Sequence, residues 1–155
     1  MGSRAAALLI AAAALAAGEV SAQCREDTLW LRGDWGSARF RVDVADDAEE
    51  RARGLMFVES MPAASGMLFV YPQERPAAFW MKNTLIPLDM IFADAEGRVV
   101  SVHSNAVPHD ETAIPSGAPV QFVLEINGGL AAQLGIAPGS EMQHPAIAEP
   151  AWPCE

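Results

Sequence analysis

Apolar and polar residues alternate along much of the chain with a period of two. Residues 28–32 (TLWLR) and 38–44 (ARFRVDV) follow this pattern around a Gly33-Asp34-Trp35-Gly36 turn. Successive strand side chains point to opposite sides, so the pattern predicts a hairpin with one wet face. Residues 46–53 (DDAEERAR) break the alternation, with acids first and arginines last, and Gly54 follows. That order suits the dipole of a short helix. Residues 66–71 (GMLFVY) read as a buried strand stopped by Pro72, and 79–82 (FWMK) as another. A second hairpin is expected from 89–94 and 98–103 around Ala95-Glu96-Gly97. Residues 120–127 (VQFVLEIN) alternate again, and Gly128-Gly129 then precedes a short helix over 130–134. A turn at Ala137-Pro138-Gly139-Ser140 leads to a last strand at 141–143.

Many short strands divided by turn residues predict a mainly β fold, a compact antiparallel β-barrel or jelly-roll-like sandwich with one or two short helices. A parallel, doubly wound sheet would need long crossover helices that the chain lacks.

The N-terminus reads differently. Arg4 precedes an uninterrupted apolar run over residues 5–17, followed by Val20-Ser21-Ala22. A basic start, a short apolar run and a small-x-small site describe a signal peptide over 1–22, since a spanning helix needs about 20 apolar residues. Gln23 sits where a lipoprotein signal needs a small residue before Cys24, so a soluble product is expected. Residues 23–155 then form one domain, exported to the periplasm or beyond, with no membrane insertion after cleavage.

The formal net charge is −10. Losing the signal removes Arg4 and Glu19 together, so the balance is unchanged. With no basic cluster, this charge argues against nucleic acid and anionic membrane surfaces as partners. Cys24 and Cys154, the only cysteines, lie at opposite ends of the mature chain. In an oxidising compartment they are expected to bond, which on a chain-entropy argument stabilises the domain by about 4–5 kcal/mol.

Three segments are dense in Met, Trp and Gly: Arg53-Gly54-Leu55-Met56, Gly66-Met67-Leu68-Phe69, and Phe79-Trp80-Met81-Lys82-Asn83-Thr84, the last running on to Pro87-Leu88-Asp89. Together with Leu124-Glu125-Ile126-Asn127-Gly128-Gly129 and the Pro138-Gly139 turn, they resemble domain-of-unknown-function family 192 over residues 38–142. The resemblance implies a compact β domain and brings no catalytic residues with it.

Lys82 is the only lysine, against nine arginines. A compact ammonium there can bind an anion, or can form a surface ion pair with Asp89 or Glu125. If 79–82 is a strand, Phe79 and Met81 face the core while Trp80 and Lys82 line an opening. Trp80 offers a stacking plane with a polar edge. Asn83 suits a turn, and Arg53 either caps a helix or reaches a ligand. Asp89 and Glu125 flank apolar residues. They serve as structural pairs or caps, or as an acid-base pair for hydrolysis.

His103, His109 and His144 show no zinc-like spacing. Met56, Met61, Met67, Met81, Met90 and Met142 could serve Cu(I), but apolar runs make core filling the better reading. Neither a metal nor a cofactor is expected. The leading functional expectation is a binding module for a small polar or anionic ligand, using Trp80, Lys82, Asn83, Arg53, Asp89 and Glu125. The alternatives are an envelope hydrolase using Lys82, Asp89 and Glu125, and a structural or protein-interaction domain. Nothing in the chain identifies a protein partner.

Overall fold

A computed structural model describes residues 24–154. The expected signal peptide lies outside the described residues. Seven strands form one sheet: β1 (Thr28–Gly33), β2 (Gly36–Ala45), β3 (Ser65–Phe79), β4 (Leu88–Ala93), β5 (Val99–Ala106), β6 (Ile114–Asn127) and β7 (Glu141–Gln143). Their order is β5-β4-β6-β3-β2-β1-β7, curled into a half-barrel. Two short helices, α1 (Ala48–Arg53) and α2 (Leu130–Leu134), complete it.

The mainly β architecture agrees with the alternation of apolar and polar residues, but three details differ. The β2–β3 junction is parallel, with Val44 beside Leu68. The crossover through α1 and the following loop carries the chain back to the start of the sheet, as parallel pairing requires. Pro72 does not end its strand. β3 runs on through Pro72 and Pro76 because its pairing with β6 jumps between Val70 and Arg75, and a proline without an N–H is tolerated in such an irregularity. β6 likewise begins at Ile114, ahead of the expected Val120, and crosses Pro115 and Pro119 along the same irregular stretch.

Both helices have local causes. The Asp47 side chain caps α1 by accepting from the Glu50 N–H at 2.8 Å, and Gly54 ends it at φ 49°. α2 lies between glycines in the left-handed region, Gly129 and Gly135.

The sheet buries a core on each face. On one, Leu29, Leu31, Phe40, Val42, Leu68, Ile91, Leu124 and Ile126 pack with Ala131 of α2. On the other, Phe69, Met90, Phe92 and Val123 pack with Leu55 and Met81, which come from the loops after α1 and β3. Phe79 joins this second core edge-on, its ring 5.0 Å from Phe69 and 5.8 Å from Phe92.

Cys24 and Cys154 form a disulfide, their Cα atoms 5.6 Å apart across 130 residues. Among the described residues no helix is long and apolar enough to cross a membrane.

Candidate functional site

The FWMK segment is a loop rather than a strand. β3 ends at Phe79, and Trp80 to Thr84 turn away. Backbone bonds tie this loop to its neighbours: Met81 N–H donates to the Asp110 carbonyl at 2.7 Å, and Phe57 N–H to the Asn83 carbonyl at 2.9 Å. The outcome for the side chains matches what a strand would have produced. Met81 is fully buried, while Trp80 is 46% exposed. Asn83 takes a left-handed turn conformation at φ 52°, and its amide lies 3.9 Å from the Met56 sulfur.

Arg53, Trp80, Lys82 and Glu125 converge on one narrow recess of about 40 Å³, closed by Gly54, Met56, Phe69 and Thr84. Arg53 comes from the last turn of α1, Trp80 and Lys82 from the loop, and Glu125 from the middle of β6. Gly54 lets α1 stop tight against the sheet, since a Cβ there would sit 3.1 Å from the Phe69 ring. Gly66 lets β3 and β6 approach, for a Cβ there would land on the Glu125 carbonyl oxygen. The density of glycine in these motifs thus has a packing cause at two positions.

Lys82 forms neither anticipated ion pair. Among the described residues no carboxylate lies within 4.0 Å of it, and its ammonium stands 5.0 Å from the Trp80 ring centroid. Glu125 is 4% exposed, and burial alone pushes its carboxyl up to about 8. Desolvation is the cause of that shift, and it favours the protonated form of the acid near neutral pH.

Asp89 does not belong to this recess. Across the β4–β6 ladder it sits opposite Ile126, whereas Glu125 sits opposite Met90, so the two acids face opposite sides of the sheet. Asp89 Oδ1 accepts from the Asn105 and Gly129 N–H groups at 2.8 and 2.9 Å, and Oδ2 accepts from Ala131 N–H at 2.8 Å. It therefore anchors the start of α2 to β4 and β5. As a ligand contact it is corrected to a structural cap, and the expected Asp89–Glu125 acid-base pair cannot form through the sheet.

One member of the recess escaped the sequence reading. Arg51 lines it, donates to the Asp46 and Val70 carbonyls, and lies 5.2 Å from the Tyr71 ring. The sequence signal was available, because Arg51 and Arg53 flank one residue at the end of a helix that runs into the Gly54 motif. Of the potential metal ligands, Met81, Met90 and Met142 are fully buried core residues. His144 holds the Glu26 carbonyl at 2.8 Å through Nε2 and accepts from Ala146 N–H through Nδ1. Among the described residues no three His, Cys, Asp or Glu side chains cluster as metal ligands would.

Residues 30–144 match domain-of-unknown-function family 192 (DUF192, an uncharacterized ACR). The chain belongs to this family. Two solved structures are similar to this DUF192 chain. A protein of unknown function from Novosphingobium aromaticivorans is 45% identical, with a TM-score of 0.73 over 74% of this chain and 82% of its own. A proposed transcription regulator from Sinorhizobium meliloti is 37% identical, with a TM-score of 0.76 over 81% of this chain and 98% of its own. No functionally curated protein matches the chain significantly. Family membership therefore fixes the kind of domain and leaves its chemistry to be argued from the recess itself.

Proposed function

We propose that this DUF192 protein is an exported binding module whose Glu125 recess receives the anionic group of a small ligand. The observation that carries the reading is the state of Lys82. In a chain with 20 acidic residues its only lysine has no carboxylate within 4.0 Å among the described residues, and it lines the recess with Arg51 and Arg53. Three cations among the lining residues make a net positive hollow in a strongly negative protein, which favours an incoming anion. The protonated Glu125 adds a hydroxyl donor to that set.

Size limits what enters. About 40 Å³ holds little more than one water, whose share of the liquid is roughly 30 Å³, so only a carboxylate-sized tip fits. The body of the ligand lies outside, across Trp80. Trp80 also lines a separate hollow of about 240 Å³ with Ala78, Phe79, Ala113 and Glu111, whose mostly apolar wall suits the rest of the ligand.

Hydrolysis has less support, because its two proposed acids point to opposite sides of the sheet. Transcription regulation, named for the Sinorhizobium meliloti neighbour, is not carried over as nucleic-acid binding, since a net charge of −10 repels a phosphate backbone. Export rests on the apolar run over residues 5–17 and on the Cys24–Cys154 bond, which oxidising compartments preserve.

Native mass spectrometry on the protein purified from its own envelope, beside Lys82→Ala, tests the reading. A small molecule bound to the wild type and missing from the folded variant is the expected result. Bare protein in both samples, across gentle desolvation conditions, would sink it.

A further inference from the structure

We propose that the open end of the same sheet face carries a second site, independent of the Glu125 recess, that binds an acidic saccharide. In the hairpin register Trp30 sits opposite Arg39 and Thr28 opposite Arg41. Leu29, Leu31, Phe40 and Val42 occupy the alternate positions and are buried, so the first four share the outer face. With Gln143 of β7 and Cys24 they line a hollow of about 530 Å³. Small-molecule sites span roughly 300–1,000 Å³, so this hollow takes a ligand of two or three rings.

The charges are arranged for an anion. Acidic residues outnumber basic ones, 20 to 10, so arginine partners are abundant. Yet among the described residues the ion pairs are Arg25–Asp27, Arg32–Glu141 and Arg98–Glu96, and neither Arg39 nor Arg41 has a carboxylate within 4.0 Å. The Arg39 guanidinium lies instead 5.9 Å from the Trp30 ring centroid. Asp27 also lines the hollow, but Arg25 holds it and Arg41 acts on it only through charge, so the Arg39 and Arg41 guanidiniums still offer planar forks that match a carboxylate. Trp30, 38% exposed, supplies a flat apolar plane for the C–H face of a sugar ring.

The other polar groups decide between ligand classes. Thr28 Oγ1 donates to Asp27, which both Nε and Nη2 of Arg25 already hold. Gln143 Nε2 donates to the Pro153 carbonyl at 2.6 Å. The Thr28 oxygen and the Gln143 carbonyl oxygen thereby remain as acceptors, which hydroxyl-rich rings need and a bare phosphate does not. Phosphate sites recruit backbone N–H groups from helix N-termini or nests, and no helix lines this hollow. The disulfide builds part of the wall, with Cys24 in the lining and Pro153, which orients Gln143, next to Cys154.

The test is an NMR titration of the oxidised protein, following tryptophan indole N–H resonances, with trigalacturonate, neutral maltotriose and adenosine monophosphate as probes. The Trp30 resonance should move saturably with trigalacturonate while that of Trp80 stays still. Maltotriose should bind about tenfold more weakly or worse, for want of a carboxylate. Arg39→Gln and Arg41→Gln should each weaken trigalacturonate about tenfold with an unchanged circular dichroism spectrum. If either variant fails to fold, Arg39→Lys, which keeps the charge and loses the fork, should still weaken binding several-fold. The proposal is overturned by a still Trp30 resonance, by maltotriose binding as tightly, by undiminished affinity in the folded arginine variants, or by tighter binding of adenosine monophosphate. Movement of Trp80 alone would also overturn it, and would assign the probe to the Glu125 recess.

Discussion

Asp89 and Glu125 are both buried carboxyl groups on neighbouring strands, and their surroundings could hardly differ more. Asp89 accepts three backbone N–H bonds and fixes the start of α2. Glu125 accepts no such backbone bonds: burial raises its carboxyl, and it opens onto a recess that Arg51, Arg53 and Lys82 also line. A buried polar group normally has partners, because leaving one without costs free energy. Where a fold ties one acid down completely and leaves its neighbour opening onto a recess, the second marks the place where a ligand would be stabilising. Satisfaction, rather than burial, separates the structural acid from the candidate functional one.

The contrast breaks most visibly at Asp89. Asp89→Ala leaves three N–H groups without their acceptor, and should lower unfolding free energy by about 3–5 kcal/mol. Chemical denaturation measures it. A loss below 1 kcal/mol would mean the cap is not what holds α2.

Glu125 gives a smaller effect with a distinctive pH dependence. Its folded value of about 8 lies above its ordinary 4.5. Between those values the native state holds a proton that the unfolded chain has released, so stability falls as pH rises through that window. Below it the acid is neutral in both states and the cost is absent. Glu125→Gln should therefore flatten the stability profile and gain on the order of 2–4 kcal/mol over wild type at pH 9, with little difference at pH 4. Denaturant midpoints across that range decide the matter, and parallel profiles would remove the neutral acid from the site.

Gly66→Ala sharpens the comparison from the backbone. The added methyl meets the Glu125 carbonyl oxygen and must shift β6 where Glu125 stands, so about 1–3 kcal/mol of destabilisation is expected. Amide chemical shifts should move around the recess and stay fixed at the α2 cap. Lys82→Ala should have the least effect on stability, within about 1 kcal/mol, since among the described residues its ammonium makes no ion pair and stands over the face of Trp80. A loss of 2 kcal/mol or more in thermal or denaturant unfolding would turn Lys82 into a structural residue.

Much of this fold was legible in the chain. The TLWLR and ARFRVDV alternation, the acid-to-arginine run over 46–53 stopped at Gly54 and the Gly128-Gly129 break before α2 are local signals, and each element formed where its signal lies. Prolines misled the reading of β3 and β6, because a bulge that absorbs Pro72 depends on the partner strand. The parallel β2–β3 junction is equally non-local. So is the separation of the two acids. Both sit among apolar residues, and only the pairing of Asp89 with Ile126 sends them to opposite faces. The recess residues were mostly anticipated through the family motifs, but Arg51 was missed because a helix-end arginine already has an electrostatic reason to be there.

The bond between Cys24 and Cys154 joins the two ends of the described chain at a Cα separation of 5.6 Å. Tension applied to those ends runs through a covalent link and never reaches the sheet. A single cut by a protease in an exposed loop such as residues 109–113 would leave both fragments tethered, free to refold as one molecule. Mechanically, the domain behaves as a closed ring.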